Sequence, residues 1–172
     1  MRKEQLVEAV HNATAEVFST MLGLEVEACP SHSDHASPSV SDGVLAFVSL
    51  AGPWIGSGVI SCNAAFACKL CAVFLMTEAS AVNEEVLDAV GELANMIVGN
   101  FKTAAEAVVG QLALSVPTVI YGRNFTSKSL GNSEWVVMPF KCGDDIFEVR
   151  VWFAPASESS AGRHVVNHLQ TV

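Results

Sequence analysis

Apolar residues recur every three or four positions through the most strongly patterned segment of the chain, EEVLDAVGELANMIVGN, which begins at Glu84. This period places them on one side of an α-helix, predicted to run to about Val109, where Gly110 ends it. Asn83 is suited to cap the first turn, because its side-chain oxygen can accept a hydrogen bond from the helix backbone. The predicted buried stripe consists of Val86, Val90, Leu93, Ile97, Phe101, Ala104 and Val108.

Three polar residues form a second stripe on this helix. Asp88, Glu92 and Asn95 follow i, i+4, i+7 spacing, and Glu92 and Asn95 each lie about 200° around the axis from the apolar stripe, so they are predicted to point to solvent or to a partner. Gly91 and Gly99 flank them, although glycine costs up to about 1 kcal/mol in a helix interior. These glycines fit either close packing against another element or room for a partner's backbone. Such polar faces are usually just solvated, so the pattern alone leaves function open.

The rest of the chain shows the periods of helices and strands in turn. An amphipathic helix is predicted over residues 3–22, with Leu6, Val10, Val17 and Met21 facing inward and Gly23 as its stop. A short strand follows, then a Ser-, Pro- and His-rich loop over residues 29–43. The remaining predicted elements are a hairpin over 44–62, a helix over 64–76 capped by Asn63, and strands over 117–122, 134–143 and 145–155.

This order of elements predicts one α/β (α+β) domain with a largely antiparallel mixed sheet packed by helices. The domain is predicted to span residues 1–155, with residues 29–43 as a mobile loop and 156–172 as a disordered tail. Gly56 and Gly58 interrupt the second strand of the first hairpin, which indicates a bend or a close approach of another element.

Composition excludes several classes of function. The net charge is −9 without a basic cluster, which argues against binding to nucleic acid or to an anionic membrane. No apolar run reaches the roughly 18 residues of a membrane span. Glu4 and Glu8 lie where an export signal would have its apolar centre, so a cytoplasmic location is expected.

The five cysteines are predicted to be reduced. Cys68 and Cys71 form a C-x-x-C within an apolar helical segment, and a zinc site would need a second close pair that the sequence lacks. Small buried side chains are therefore the expected role of these thiols, and no metal site is predicted. A metal-binding or redox domain built on these cysteines and the histidines ranks last among the possible functions.

Two motifs carry a resemblance to a known family. DAVGELANMIVGN, followed by VPTVIYGRN, resembles the CheC/CheX/FliY group of chemotaxis phosphatases, with CheX the most similar member. The signature of that family is Asp or Ser, three residues, Glu, two residues, Asn, and Pro about twenty-two residues later. Here it is matched by Asp88, Glu92, Asn95 and, 21 residues on, Pro117. The motif occurs once, as in CheX, whereas CheC carries two copies.

The resemblance implies a phosphatase acting on the aspartyl phosphate of a CheY-type response regulator. It implies that Asn95 orients the attacking water and that Glu92 pairs with the active-site Lys of the receiver domain. Asp88 would make a peripheral partner contact or a local helix interaction, Gly91 and Gly99 would give the receiver clearance, and Pro117 would shape the strand entry beside the helix. No cofactor of its own is expected, since Mg²⁺ belongs to the receiver. A homodimer is expected, as in CheX.

A different class of function keeps the fold without the enzyme. The domain would then be a non-catalytic adaptor that binds phosphorylated receivers. The intact Glu92 and Asn95 pair argues against this alternative, because a pure binder has no need for a water-orienting amide. Decay of a labelled phospho-receiver with substoichiometric protein distinguishes the two functions.

Overall fold

The fold was analysed in a computed structural model that describes residues 1–36, 38–126 and 134–157. Its helices are α1 (Lys3–Val17), α2 (Ala64–Leu75) and α3 (Glu84–Val109), and a π-helical turn (Phe18–Leu22) extends α1. The strands are β1 (Glu27–Ala28), β2 (His32–Asp34), β3 (Ser39–Ala51), β4 (Trp54–Asn63), β5 (Ala113–Leu114), β6 (Thr118–Thr126), β7 (Trp135–Cys142) and β8 (Asp145–Pro155).

The strands form one sheet in which every pairing among the described residues is antiparallel. Its order is β1-β7-β8-β4-β3-β5, with β2 also beside β7 and β6 also beside β3. The main core joins the buried sides of the three helices to one face of the sheet. A smaller cluster on the other face consists of Leu45, Val59, Trp135 and Val137. The predicted antiparallel sheet packed by helices is confirmed.

Two asparagine caps fix where α2 and α3 begin. The Asn63 side-chain oxygen accepts a hydrogen bond from the Phe66 N–H at 2.7 Å, and that of Asn83 accepts one from the Val86 N–H at 3.0 Å. Each cap satisfies a backbone donor that the first turn of a helix leaves without an internal partner. Gly110 ends α3 with φ of 89°, a value that glycine adopts without strain. These caps and the helix stop were predicted correctly.

Two predicted core stripes are wrong at their C-terminal ends. After α1 the backbone makes a π turn, which adds a residue to the turn and rotates Met21 outward while Phe18 and Leu22 become buried. In α3 the predicted members Ala104 and Val108 are exposed and Ala105 is buried instead. The last turns of α3 therefore contact the rest of the fold along a narrower side than the earlier turns.

The prediction of an irregular loop over residues 29–43 is also wrong in part. His32–Asp34 forms β2, which pairs with β7, and β3 begins at Ser39 and pairs there with β6. Both pairings join segments far apart in sequence, so local composition does not reveal them. The tail predicted to be disordered begins at residue 156. Ala156 and Ser157 are helical, and the Ala156 N–H donates to Pro53 O at 3.0 Å, whereas residues 158–172 lie outside the described residues. None of the helices in the described ranges has the length and apolarity to cross a membrane.

Candidate functional site

The polar stripe of α3 lies where its spacing predicts. Asp88 and Glu92 are exposed and Asn95 is half-buried, while Leu93 and Ala94 between them are buried. Glu92 and Asn95 differ by three residues and so lie about 60° apart on the helix surface. A carboxylate and a carboxamide thus share one side of a helix whose other side is fixed in the core.

The two glycines that flank Asn95 on α3 lie against a neighbouring segment of the chain. Gly91 and Gly99 stand four residues before and after Asn95, about 40° to either side. A Cβ at Gly99 would lie 3.8 Å from Leu114 Cδ1, and one at Gly91 would lie 3.7 Å from Pro117 Cβ. The segment 114–117 therefore runs along the side of α3 that carries Gly91 and Gly99, between which the half-buried Asn95 lies.

Gly91 packs closely against the sheet, as one of its two predicted roles requires. Gly91 is buried, and a Cβ there would lie only 3.0 Å from Val119 Cγ2 on β6. This is tighter than an ordinary carbon–carbon contact of about 3.5–4.0 Å, so the packing of α3 on the sheet favours glycine at this position. Gly99 has only an ordinary contact with Leu114 at its Cβ position, so packing does not require glycine there.

Pro117 lies directly before β6, beside the motif helix. Its position agrees with the predicted role in shaping the strand entry, since proline fixes φ and has no N–H to donate to a sheet. Sequence reasoning did not identify the preceding residues of this segment as neighbours of Asn95. The sequence signal for these neighbours was weak, because Pro117 is the only residue of the segment that belongs to the motif. Which residues lie beside Asn95 depends on how the segment packs against Gly91 and Gly99.

The polar ends of Glu92 and Asn95 are available to another molecule. No hydrogen bond or ion pair within the described part of the chain engages either side chain. Among the described side chains, His11 Nε2 is the one fully buried nitrogen or oxygen that lacks a hydrogen-bond partner. The amide of Asn95 also has no partner, so it is not fully buried and keeps access to solvent. By contrast, Asn100 Nδ2 donates to Glu16 Oε2 on α1 at 3.3 Å. One asparagine of α3 is tied to the fold and the other is open.

The predicted thiol role is consistent with the structure. Cys62, Cys68 and Cys71 are buried, and burial raises the pKa of all three thiols, that of Cys62 to about 12. A raised pKa disfavours the reactive thiolate. Among the residues that the structure describes, no group of three or more His, Cys, Asp or Glu side chains is placed to hold a metal ion.

Comparison with known proteins places this arrangement in a family context. Residues 44–141 match the family model described as chemotaxis phosphatase CheX, a range that includes the motif helix and Pro117. No curated protein matches significantly.

Several solved structures have the same fold. The CheX–CheY–BeF₃–Mg²⁺ complex from Borrelia burgdorferi contains a chain of 27% identity, with a TM-score of 0.74 over 86% of this chain and 97% of that one. CheX from Vibrio vulnificus has 22% identity and a TM-score of 0.75, over 87% and 99% of the two chains. A CheC-like superfamily protein from Shewanella sp. PV-4 has 22% identity and a TM-score of 0.78, over 90% and 99%.

Proposed function

This chain belongs to the chemotaxis phosphatase CheX family, and we propose that it hydrolyses the aspartyl phosphate of a CheY-type response regulator. The observation that carries the proposal is the pair of unpartnered polar side chains, Glu92 and Asn95, on one side of a helix anchored in the core. Further support comes from the Borrelia relative, whose structure is a complex with CheY, BeF₃ and Mg²⁺.

The proposed role of Asn95 is to position water. An aspartyl phosphate is an activated acyl phosphate, and the receiver's own Mg²⁺ and Lys neutralise the phosphoryl oxygens. A water held by the carboxamide would attack phosphorus in line with the leaving carboxylate oxygen. The bond from phosphorus to that oxygen breaks, and inorganic phosphate and the free Asp carboxylate result. A neutral amide can contribute by holding water at the right place, without accepting its proton.

The proposed role of Glu92 is to hold the receiver in register. Its negative charge repels a phosphoryl group, so it is unsuited to direct contact with the reacting centre. A carboxylate about one turn from the amide can instead pair with the receiver's active-site Lys and thereby fix the insertion of Asn95. Asp88, one turn further towards the N-terminus of α3, is proposed to contact the periphery of the receiver.

The test compares two asparagines of the same helix. CheY-type receivers from the same genome are labelled with ³²P-phosphate, and their decay is followed with substoichiometric protein. Asn95→Ala is expected to abolish the acceleration while retaining binding to the beryllofluoride-activated receiver. Asn100→Ala, which removes a side chain that donates to Glu16 on α1, is the matched control and is expected to keep wild-type turnover.

Each outcome of this test is informative. Unchanged turnover in Asn95→Ala would end the assignment of its role. The adaptor alternative would hold if the wild-type protein slows the decay of the phospho-receiver, or changes it only in proportion to the amount of protein added. A protein that only sequesters the receiver does not turn over repeatedly. Glu92→Gln is expected to weaken binding or turnover and Glu92→Lys to abolish activity.

We also propose a homodimer, as in CheX, which the mass in solution tests.

A further inference from the structure

The segment that runs along α3 contains a β-bulge between β5 and β6. Both strands pair with the same edge of β3: Leu114 of β5 lies opposite Leu50. Thr118 of β6 lies opposite Phe47. Residues 115–117 separate the two pairs on this side, whereas only two residues separate Phe47 from Leu50 on β3. The one extra residue defines a bulge, a feature that bends a strand and that is frequent next to active sites, where it redirects side chains.

The bulge directs two side chains at the motif helix. Leu114 lies 3.8 Å from the position of a Cβ at Gly99, and Pro117 lies 3.7 Å from that of a Cβ at Gly91. Leu114 and Pro117 are three residues apart, and in a regular strand an odd separation points side chains to opposite faces. The extra residue of the bulge changes this alternation, so both side chains reach α3. Their two contacts bracket Asn95, which lies four residues from each glycine.

The hydroxyl of Ser115 holds the bulge to β3. A hydrogen-bonded pair in an antiparallel sheet normally exchanges two backbone bonds. Here the Ser115 N–H donates to Ser49 O at 3.0 Å, while the Ser49 N–H donates to Ser115 Oγ at 2.9 Å, so a hydroxyl takes the place of the second carbonyl. The same hydroxyl donates to Val116 O at 2.9 Å. One side chain thus binds both the neighbouring strand and the backbone of the bulge.

We infer that Ser115 is a positioning residue for Asn95. The inference rests on the proposed function, in which the carboxamide must place a water accurately. The Ser115 hydroxyl fixes the bulge, and the bulge packs Leu114 and Pro117 against the stretch of α3 that carries Asn95. Because water positioning depends on placement, loss of this hydroxyl slows the chemical step and leaves binding of the receiver unchanged.

The test compares serine hydroxyls on the two sides of β3. Ser115→Ala is expected to lower kcat about three- to tenfold, with Kd for the beryllofluoride-activated receiver unchanged, because a misplacement of about 1 Å can cost about 100-fold and the released segment shifts by less. Ser115→Thr keeps the hydroxyl and should restore kcat. Ser57→Ala is the matched control, since Ser57 Oγ donates to Val48 O at 3.3 Å from β4, on the other side of β3. This control should keep wild-type kcat.

Three results would overturn the inference in an active protein. The first is wild-type kcat in Ser115→Ala. The second is an equal loss in Ser57→Ala, or a loss that Ser115→Thr does not restore, because either would mean general damage to the sheet. The third is a raised Kd at unchanged kcat, which would mean that the segment contacts the receiver instead of positioning the amide.

A second measurement does not depend on catalysis. A wild-type protein that binds the activated receiver but does not accelerate decay would refute the phosphatase alone. The side-chain amide NMR signal of Asn95, assigned by its loss in Asn95→Ala, then reports the surroundings of the carboxamide. Ser115→Ala is expected to shift this signal, and Ser57→Ala to leave it in place. An unmoved signal in Ser115→Ala would overturn the inference.

Discussion

Replacing Gly58 by alanine tests how α3 is seated on the sheet. A Cβ at Gly58 on β4 would lie 2.5 Å from Cγ2 and 3.3 Å from Cγ1 of Val98 on α3. Ordinary carbon contacts are about 3.5–4.0 Å, so the overlap is about 1 Å. Val98 is 1% exposed, and a valine in a helix has one strongly preferred rotamer. The helix itself must therefore move away from the sheet.

The size of the effect follows from two opposing contributions. Overpacking of this kind costs about 1–3 kcal/mol, and the lower chain entropy of alanine in the unfolded state offsets about 0.4–1 kcal/mol. A net loss of about 1–2 kcal/mol in the free energy of unfolding is expected, which for a chain of this length lowers Tm by about 2–8 °C. Urea denaturation monitored by circular dichroism measures it.

The same substitution is expected to lower turnover by more than stability alone explains. Val98 lies one turn after Asn95, so lifting the helix displaces the carboxamide, and a misplacement of about 1 Å can cost about 100-fold in rate. The double variant Gly58→Ala/Val98→Ala removes the overlapping methyl groups. Its loss in the free energy of unfolding should therefore be smaller, by at least about 1 kcal/mol, than the sum of the losses in the two single variants. Strictly additive losses, or Gly58→Ala with wild-type stability, would refute the reasoning.

Two further predictions concern Gly99 and His11. Gly99→Ala should stabilise the protein by about 0.5–1 kcal/mol in urea denaturation, because the new methyl group meets Leu114 at an ordinary 3.8 Å and alanine favours a helix. A loss of receiver binding in this stable variant would support the clearance role. Destabilisation would contradict the packing argument. Burial lowers the pKa of His11, whose Nε2 is buried without a partner in the described structure. As pH falls below about 6.5, His11 therefore binds a proton in the unfolded chain before it does so in the folded chain, and stability should decline from there towards the lowered folded-state pKa. His11→Leu should flatten this decline between about pH 7 and 5. An identical pH profile in the variant would contradict the prediction.

Local periodicity was sufficient to predict α3 and both of its stripes through most of their length. The apolar positions follow the helical repeat from Val86 to Phe101, and the asparagine caps are local interactions that three or four residues determine. Local periodicity was insufficient where contacts with distant segments, or a departure from regular helix geometry, determine the structure. The strand at His32–Asp34 exists because β7 supplies its pairing partner, and Met21 turns outward because the backbone leaves α-helical geometry.

The candidate site divides in the same way. Residue type and spacing identified Asp88, Glu92 and Asn95, because side chains at i, i+4 and i+7 share a side of any regular helix. What those residues have beside them depends on tertiary packing. The burial of Gly91 against Val119 follows from how β6 lies along the helix, which no local pattern encodes.

The placement of the amide depends on residues that take no part in the proposed chemistry. If the partner supplies the metal ion, the Lys and the leaving carboxylate, this protein contributes geometry, and the accuracy of that geometry is set by how α3 meets the sheet. Val98 against Gly58 and Val119 against Gly91 fix the depth of the helix at two points that lie within about one turn of Asn95 on either side. Because a helix is stiff over this length, the two contacts determine where the carboxamide stands. Substitutions at these glycines should therefore affect turnover more than loss of Asp88, although Asp88 is exposed and both glycines are buried.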